Sequence, residues 1–180
     1  MSEKQPFKSD IEAIRRRARD KMMDGAVTGA YLADREQVID VLQEILATEI
    51  VCTLRYKNHY FMAEGIYAEP VAAEFKEHAD QEQAHADRVA LRITQLGGRP
   101  NLNPEGMQSR AHAEYVEADT LKGMIVENLV AERIAIETYS EIVRWLGDDD
   151  PTTTRLIRDI LEEEEEHADD MAGLLEQVGA

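Results

Sequence analysis

Four stretches of this sequence repeat an apolar residue every three or four positions, and each is interrupted near its middle by a glutamate. Steps of three and four keep residues on one face of a helix. The first face runs Val38, Leu42, Ile45, Glu49, Cys52, Tyr56, and the second Phe75, Ala79, Glu82, His85 or Ala86, Val89, Ile93, Leu96. The third runs Ile125, Leu129, Glu132, Ile136, Tyr139, Val143, Leu146, and the fourth Leu156, Ile160, Glu164, His167, Met171, Leu174, Val178. A buried carboxylate without compensation is strongly destabilising, so four at matching depth call for protons or cations.

Proline and glycine are sparse between these faces and cluster outside them. The pattern predicts long helices over Asp34–Ala63, Pro70–Leu96, Thr120–Leu146 and Pro151–Val178, broken by "GIYAEP", "GGRPNLNPEG" and "GDDDP". Nothing alternates with period two, so no strand is expected. Helices of this length run roughly 40–45 Å at ~1.5 Å per residue. Short first and last turns with a long middle connection give an all-α, antiparallel four-helix bundle with one crossover, residues 34–180. Residues 1–33 form a separate N-terminal arm, in which "SDIEAIRRRARDKMMDG" reads as a short basic amphipathic helix that packs on the bundle or a neighbouring subunit. The crossover is too long for a plain loop and is expected to hold a short helix at Ala111–Glu117.

Charge narrows the function. With 37 acidic against 20 basic side chains, a net −17, the chain suits cations better than nucleic acid or anionic membrane. No apolar run approaches the roughly 20 residues that span a bilayer, and no signal-peptide pattern opens the chain. One cysteine, Cys52, allows no intrachain disulfide. A reducing, cytoplasmic setting is the expectation.

Two of the interrupting glutamates carry a histidine three residues on: "EQAH" is Glu82 and His85, "EEEH" is Glu164 and His167. Residues at i and i+3 share a helix face, so each pair can aim at one point. The spacing also repeats. Glu49 precedes Glu82 by 33 residues and Glu132 precedes Glu164 by 32, and tyrosines follow the leading glutamates seven residues later, at Tyr56 and Tyr139. Four carboxylates balance two divalent ions, and oxygen ligands with one imidazole per metal suit iron or manganese. Within "ILEEEEEHADD", Glu164 is the expected ligand, Glu163 the fallback should the helical phase differ, and the remaining glutamates a solvated face.

One Glu on the first helix, Glu-x-x-His on the second, one Glu on the third and Glu-x-x-His on the fourth resembles the ferritin-like superfamily, with the bacterioferritin type of di-iron site. The resemblance spans about Asp34 to Val178. It implies that Glu82 and Glu164 bridge two metals, that Glu49 with His85 and Glu132 with His167 terminate one each, and that Tyr56 and Tyr139 orient carboxylates. It implies two iron ions per subunit (Mn or Zn as isolated), a ferroxidase reaction of Fe(II) with O2 or H2O2, and Fe(III) mineral stored inside a homo-oligomeric shell. Three departures from bacterioferritins shape the expectation. Thirteen residues follow His167, which leaves no room for a fifth helix; the Glu82–Glu132 separation is longer; and Gln83 stands where a haem-ligating methionine would. A Dps-like shell of 12 subunits rather than 24, without haem, is expected.

Two other functions fit parts of the sequence. A di-iron oxidase or peroxidase would use the same site without storage. DNA protection would use the arm, where Lys4, Lys8, Arg15, Arg16, Arg17, Arg19 and Lys21 oppose five acids, a local +2. His59 and His78 are expected near helix surfaces or subunit contacts, and His112 in the crossover. Met22, Met23, Met62, Met107 and Met124 are assigned to packing, Trp145 to an interface or the core. Cys52 is expected buried and inert, with its nearness to Glu49 leaving a redox role open.

Overall fold

The computed structural model describes residues 8–179; Lys4 of the basic arm lies outside the described residues. Among the described residues six α-helices follow one another: α1 (Ile11–Arg17), α2 (Arg35–Met62), α3 (Ala68–Gln95), α4 (Met107–Arg110), α5 (Leu121–Leu146) and α6 (Pro151–Gly179). Helices α2, α3, α5 and α6, of 28, 28, 26 and 29 residues, form the four-helix bundle. α2 packs along α3 and α5 along α6 as two hairpins, with the long crossover between them. No strand occurs among the described residues.

Local chemistry sets the helix ends. Asp34 caps α2 by accepting from the amides of Glu36 and Gln37, and Thr120 caps α5 by accepting from Gly123. Pro70 sits in the first turn of α3, where no amide proton is needed. Gly147 closes α5 at φ 49°, a left-handed backbone that favours glycine.

The interior is layered. One apolar cluster joins Leu42, Ile45, Leu46, Ala86, Val89, Ile93, Tyr139 and Ile157. A second joins Tyr56, Val71, Phe75, Ala79, Met124, Ile125 and Met171. The glutamates and histidines of the four helical faces singled out above lie between these two clusters and are themselves buried.

Two expectations about the connections need correction. Residues 111–117 are not helical; the short helix of the crossover lies upstream, at Met107–Arg110. Beyond Ala111, whose amide donates to the Met107 carbonyl, backbone groups of this segment bond to side chains. The His112 amide donates to Thr48 Oγ1, the Tyr115 amide to Gln108 Oε1, and the Glu114 carbonyl accepts from Arg55. The arm's basic segment is helical only over Ile11–Arg17, followed by a 3-10 turn at Met22–Asp24, and buries no residue. Val27, Tyr31 and Ala33 dock the arm on the first apolar cluster. Met22, Met23 and Met62 are exposed, whereas Met107 and Met124 are buried; Trp145 is half exposed.

At the α5–α6 turn, buried Asp150 accepts from Arg92 through both carboxylate oxygens at 2.9 and 3.1 Å, from the Thr153 amide and hydroxyl, and from Tyr31. One carboxylate thus caps α6, ties it to α3 and anchors the arm. These donors hold its pKa below the usual carboxylate range, although burial pushes the other way. Asp150→Ala would leave the Arg92 guanidinium buried without its counter-ion and is expected to destabilise the chain by about 3–5 kcal/mol, read from chemical unfolding. A loss below ~1 kcal/mol would show that the pair is effectively solvated.

Candidate metal centre

Each helix of the bundle delivers one carboxylate to the layer between the apolar clusters: Glu49 from α2, Glu82 from α3, Glu132 from α5 and Glu164 from α6. His85 and His167 join them one turn on. None of the six is more than 2% exposed. They divide into two groups of potential ligands, Glu49, Glu82, His85, Glu164 and Glu82, Glu132, Glu164, His167, so that Glu82 and Glu164 belong to both.

Nδ1 of His85 lies 3.3 Å from Glu49, 3.7 Å from Glu82 and 3.1 Å from Glu164. Nδ1 of His167 lies 3.8, 3.9 and 3.6 Å from Glu82, Glu132 and Glu164. Glu49 Oε2, Glu82 Oε1, Glu132 Oε2, both Glu164 oxygens and both Nδ1 atoms are buried without a hydrogen-bond partner in the protein. Orphaned buried polar atoms are rare in folded proteins. Seven converging on one point are the signature of a cation site, and the donor set of carboxylate oxygen and imidazole nitrogen fits a pair of divalent first-row metals.

The far sides of these ligands are held in place. Tyr139 donates a short hydrogen bond to Glu49 Oε1, and Tyr56 donates one to Glu132 Oε1, so each tyrosine reaches across to the opposite hairpin. His85 Nε2 donates to Glu163 at 2.9 Å, and Glu163 also accepts from Arg88 at 2.8 Å. His167 Nε2 donates to Gln81 at 2.9 Å. These bonds fix a proton on each Nε2 and turn both Nδ1 atoms inward.

The ferritin-like domain family matches residues 39–179. The chain belongs to the ferritin-like family. A bacterioferritin of Desulfovibrio desulfuricans is 32% identical over 135 residues, covering 74% of this chain and 71% of that protein. The DNA protection during starvation protein of Halobacterium salinarum is 29% identical over 150 residues, covering 80% and 81%. Among solved structures, a dodecameric thioferritin, the bacterioferritin-related protein of Bacteroides fragilis, matches with a TM-score of 0.79 at 33% identity, over 82% of this chain and 89% of that one. Within that family the chain is similar both to bacterioferritins and to Dps proteins.

Several residues stand differently from the sequence reading. Glu163 does not enter the centre but orients His85. Its neighbours Glu162, Glu165 and Glu166 are exposed. Gln81 and Arg88 gave no signal beyond sitting beside the motif. His59 and His78 are buried at 0% and 2% exposure, not at helix surfaces. His59 follows Tyr56 by three residues and His78 precedes Glu82 by four, so both share the buried face. His112 lies in the crossover against Thr48 and Glu44. Arg55, fully buried, donates to Asn128 and the Glu114 carbonyl. Burial pushes the Cys52 thiol well above its ordinary value, against thiolate chemistry.

Electrostatics make the metal-free centre self-neutralising. Burial, then the charges of Glu82 and Glu164, raise Glu49; burial, then Glu82, raise Glu132. Burial opposes ionisation of Glu82 and Glu164 too, but the imidazoles of His167 and His85 beside them leave both below the usual carboxylate range. Burial works against the imidazolium as well, yet the surrounding carboxylates raise His85 strongly and push His167 up to about 12. Two imidazolium cations and two carboxylates cancel, and the other two carboxyls stay protonated.

Two divalent ions must therefore displace the protons of both imidazoliums and both carboxylic acids. Zn(II) binding at neutral pH is expected to release about four protons per chain, measured by calorimetry in buffers of different ionisation enthalpy, with affinity rising as pH rises. Release of fewer than about two would contradict this charge arrangement. Tyr139→Phe frees Glu49 to rotate, and metal affinity is expected to fall about 10-fold or more.

Proposed function

We propose that the chain is a ferroxidase and iron-storage protein that oxidises Fe(II) at this centre and deposits Fe(III) inside a homo-oligomeric shell. The observation that carries the reading is the convergence of seven unpartnered buried ligand atoms from four carboxylates and two imidazoles. In this proposal Glu82 and Glu164 bridge two Fe(II) ions, while Glu49 with His85 and Glu132 with His167 complete one each. The −4 charge of the carboxylates neutralises two divalent substrate ions. Each ion gives up one electron, so a pair reduces O2 to H2O2 or H2O2 to water, with protons taken up in balance. Oxidation adds two positive charges in a dry pocket, where uncompensated charge is costly, and this favours loss of protons and departure of Fe(III). The acidic surface of a net −17 chain then offers mineral nucleation sites.

The resemblance to the dodecameric Bacteroides fragilis protein supports a shell of 12 copies. DNA protection is the second reading, favoured by the exposure of Arg15, Arg16 and Arg17 on α1 and by the name of the Halobacterium salinarum relative. A gel shift at low salt with and without residues 1–24 tests it, since phosphate binding through the arm would vanish on deletion.

Ferrous iron added in air to metal-free protein is expected to co-elute on gel filtration at tens of ions per chain, whereas saturation near about two would make the centre that of an oxidase or peroxidase. Glu164→Ala removes a ligand shared by both metals and is expected to abolish rapid Fe(II) oxidation, followed by ultraviolet absorbance. Glu165→Ala, on the solvated face, is expected to leave it unchanged. Equal losses from the two would remove Glu164 from the centre.

A further inference from the structure

One turn beyond the metal centre lies a second meeting of imidazole and carboxylates. His78 stands four residues before Glu82 on α3, Glu74 one turn earlier on the same helix, and Asp170 three residues after His167 on α6. His78 Nε2 lies 3.4 Å from Asp170 Oδ2 and 3.9 Å from Glu74 Oε2. One ligand atom from each residue falls within 4.8 Å of the others. The imidazole is 2% exposed, while the side chains of Glu74 and Asp170 are 41% and 56% exposed. The cluster is thus buried on its histidine side and open to water on its carboxylate side.

The hydrogen bonds decide which nitrogen carries the proton. Tyr56 has a single hydroxyl proton, which it donates to Glu132. Towards His78 Nδ1, 3.2 Å away, the phenol oxygen can only accept. Nδ1 of a neutral His78 therefore bears the hydrogen, and the bare Nε2 lone pair faces two carboxylates that have nothing to donate. Three acceptors turned on one another repel unless a proton or a metal cation joins them. Metal–ligand bonds of about 2.0–2.2 Å place neighbouring ligand atoms roughly 3 Å apart or a little more, close to the separations seen here.

We propose that His78, Glu74 and Asp170 form a third divalent-metal site, separate from the paired centre, that loads Fe(II) from solvent for delivery to it. The ring of His78 stacks on that of His167 at 4.1 Å, and Tyr56 bridges His78 to Glu132, so the third site adjoins ligands of one metal only. Its open side leaves room for water ligands, which suits an ion that must be released. The delivery role rests on the ferroxidase reading; the metal site itself does not.

The test uses assembled, metal-free protein and Zn(II), which is redox-inert. Equilibrium dialysis is expected to give about three ions per chain in the wild type and about two in the Glu74→Gln/Asp170→Asn double variant. Both residues are solvent-exposed, so the fold should tolerate the change, and anomalous scattering at the zinc edge should show density beside His78 Nε2 in the wild type alone. Unchanged stoichiometry in the double variant, or no zinc beside His78, overturns the site. Glu164→Ala separates the two readings: it should reduce the paired ions and keep the third, and undiminished zinc in that variant would count against the paired centre instead. With Fe(II), the double variant is expected to need a several-fold higher concentration for half-maximal oxidation at an unchanged maximal rate. An unchanged concentration dependence overturns delivery.

Discussion

Everything in this bundle is arranged around four carboxylates in a layer that water does not reach. Removing a carboxylate from water is unfavourable by several kcal/mol, and like charges beside it add to the penalty. Here the metal-free chain meets that demand from within, because His85 and His167 lend positive charge to Glu82 and Glu164 while Glu49 and Glu132 keep their protons. The protons that keep the layer neutral are the ones a pair of divalent cations would replace.

Apolar clusters on both sides of the layer exclude water and supply its ligand-orienting groups. Tyr139 belongs to one cluster and reaches Glu49; Tyr56 belongs to the other and reaches Glu132. The two hairpins thereby cross-link through their own buried carboxylates, in a near two-fold relation that mirrors the repeated Glu, Tyr, Glu-x-x-His spacing. Packing and chemistry use the same residues. A change at either tyrosine disturbs the hydrophobic interior and the aim of a carboxylate together.

Outside the bundle core, side chains do the work that secondary structure does within it. Asp150 gathers α3, α6 and the arm at one carboxylate, and Gln43 holds the crossover by donating to the Arg99 carbonyl and accepting from the Asn101 amide. Thr48, Gln108 and Arg55 do the same for the backbone of His112, Tyr115 and Glu114, so that segment takes side-chain partners in place of helical hydrogen bonds. The length of the connection suggested a helix there, but local preference yields where tertiary partners are available.

The sequence by itself determined the four helices, their buried faces and the six residues that meet at the centre. Helical periodicity is a local property, and an acidic or imidazole side chain on an apolar stripe is visible without knowing its neighbours. Tertiary structure alone decided what surrounds those six. Glu163 serves His85 across the α3–α6 interface, Gln81 serves His167, and Asp170 meets His78 from another helix. None of these partnerships has a fixed spacing, because they depend on how two helices are rotated against each other. The burial of His59 and His78 lies between the two cases: their phase along the helix was legible, but the depth of the interior at that end was set by Phe75, Tyr56 and the opposing hairpin. Pattern reveals which side of a helix faces inward, and packing determines what it finds there.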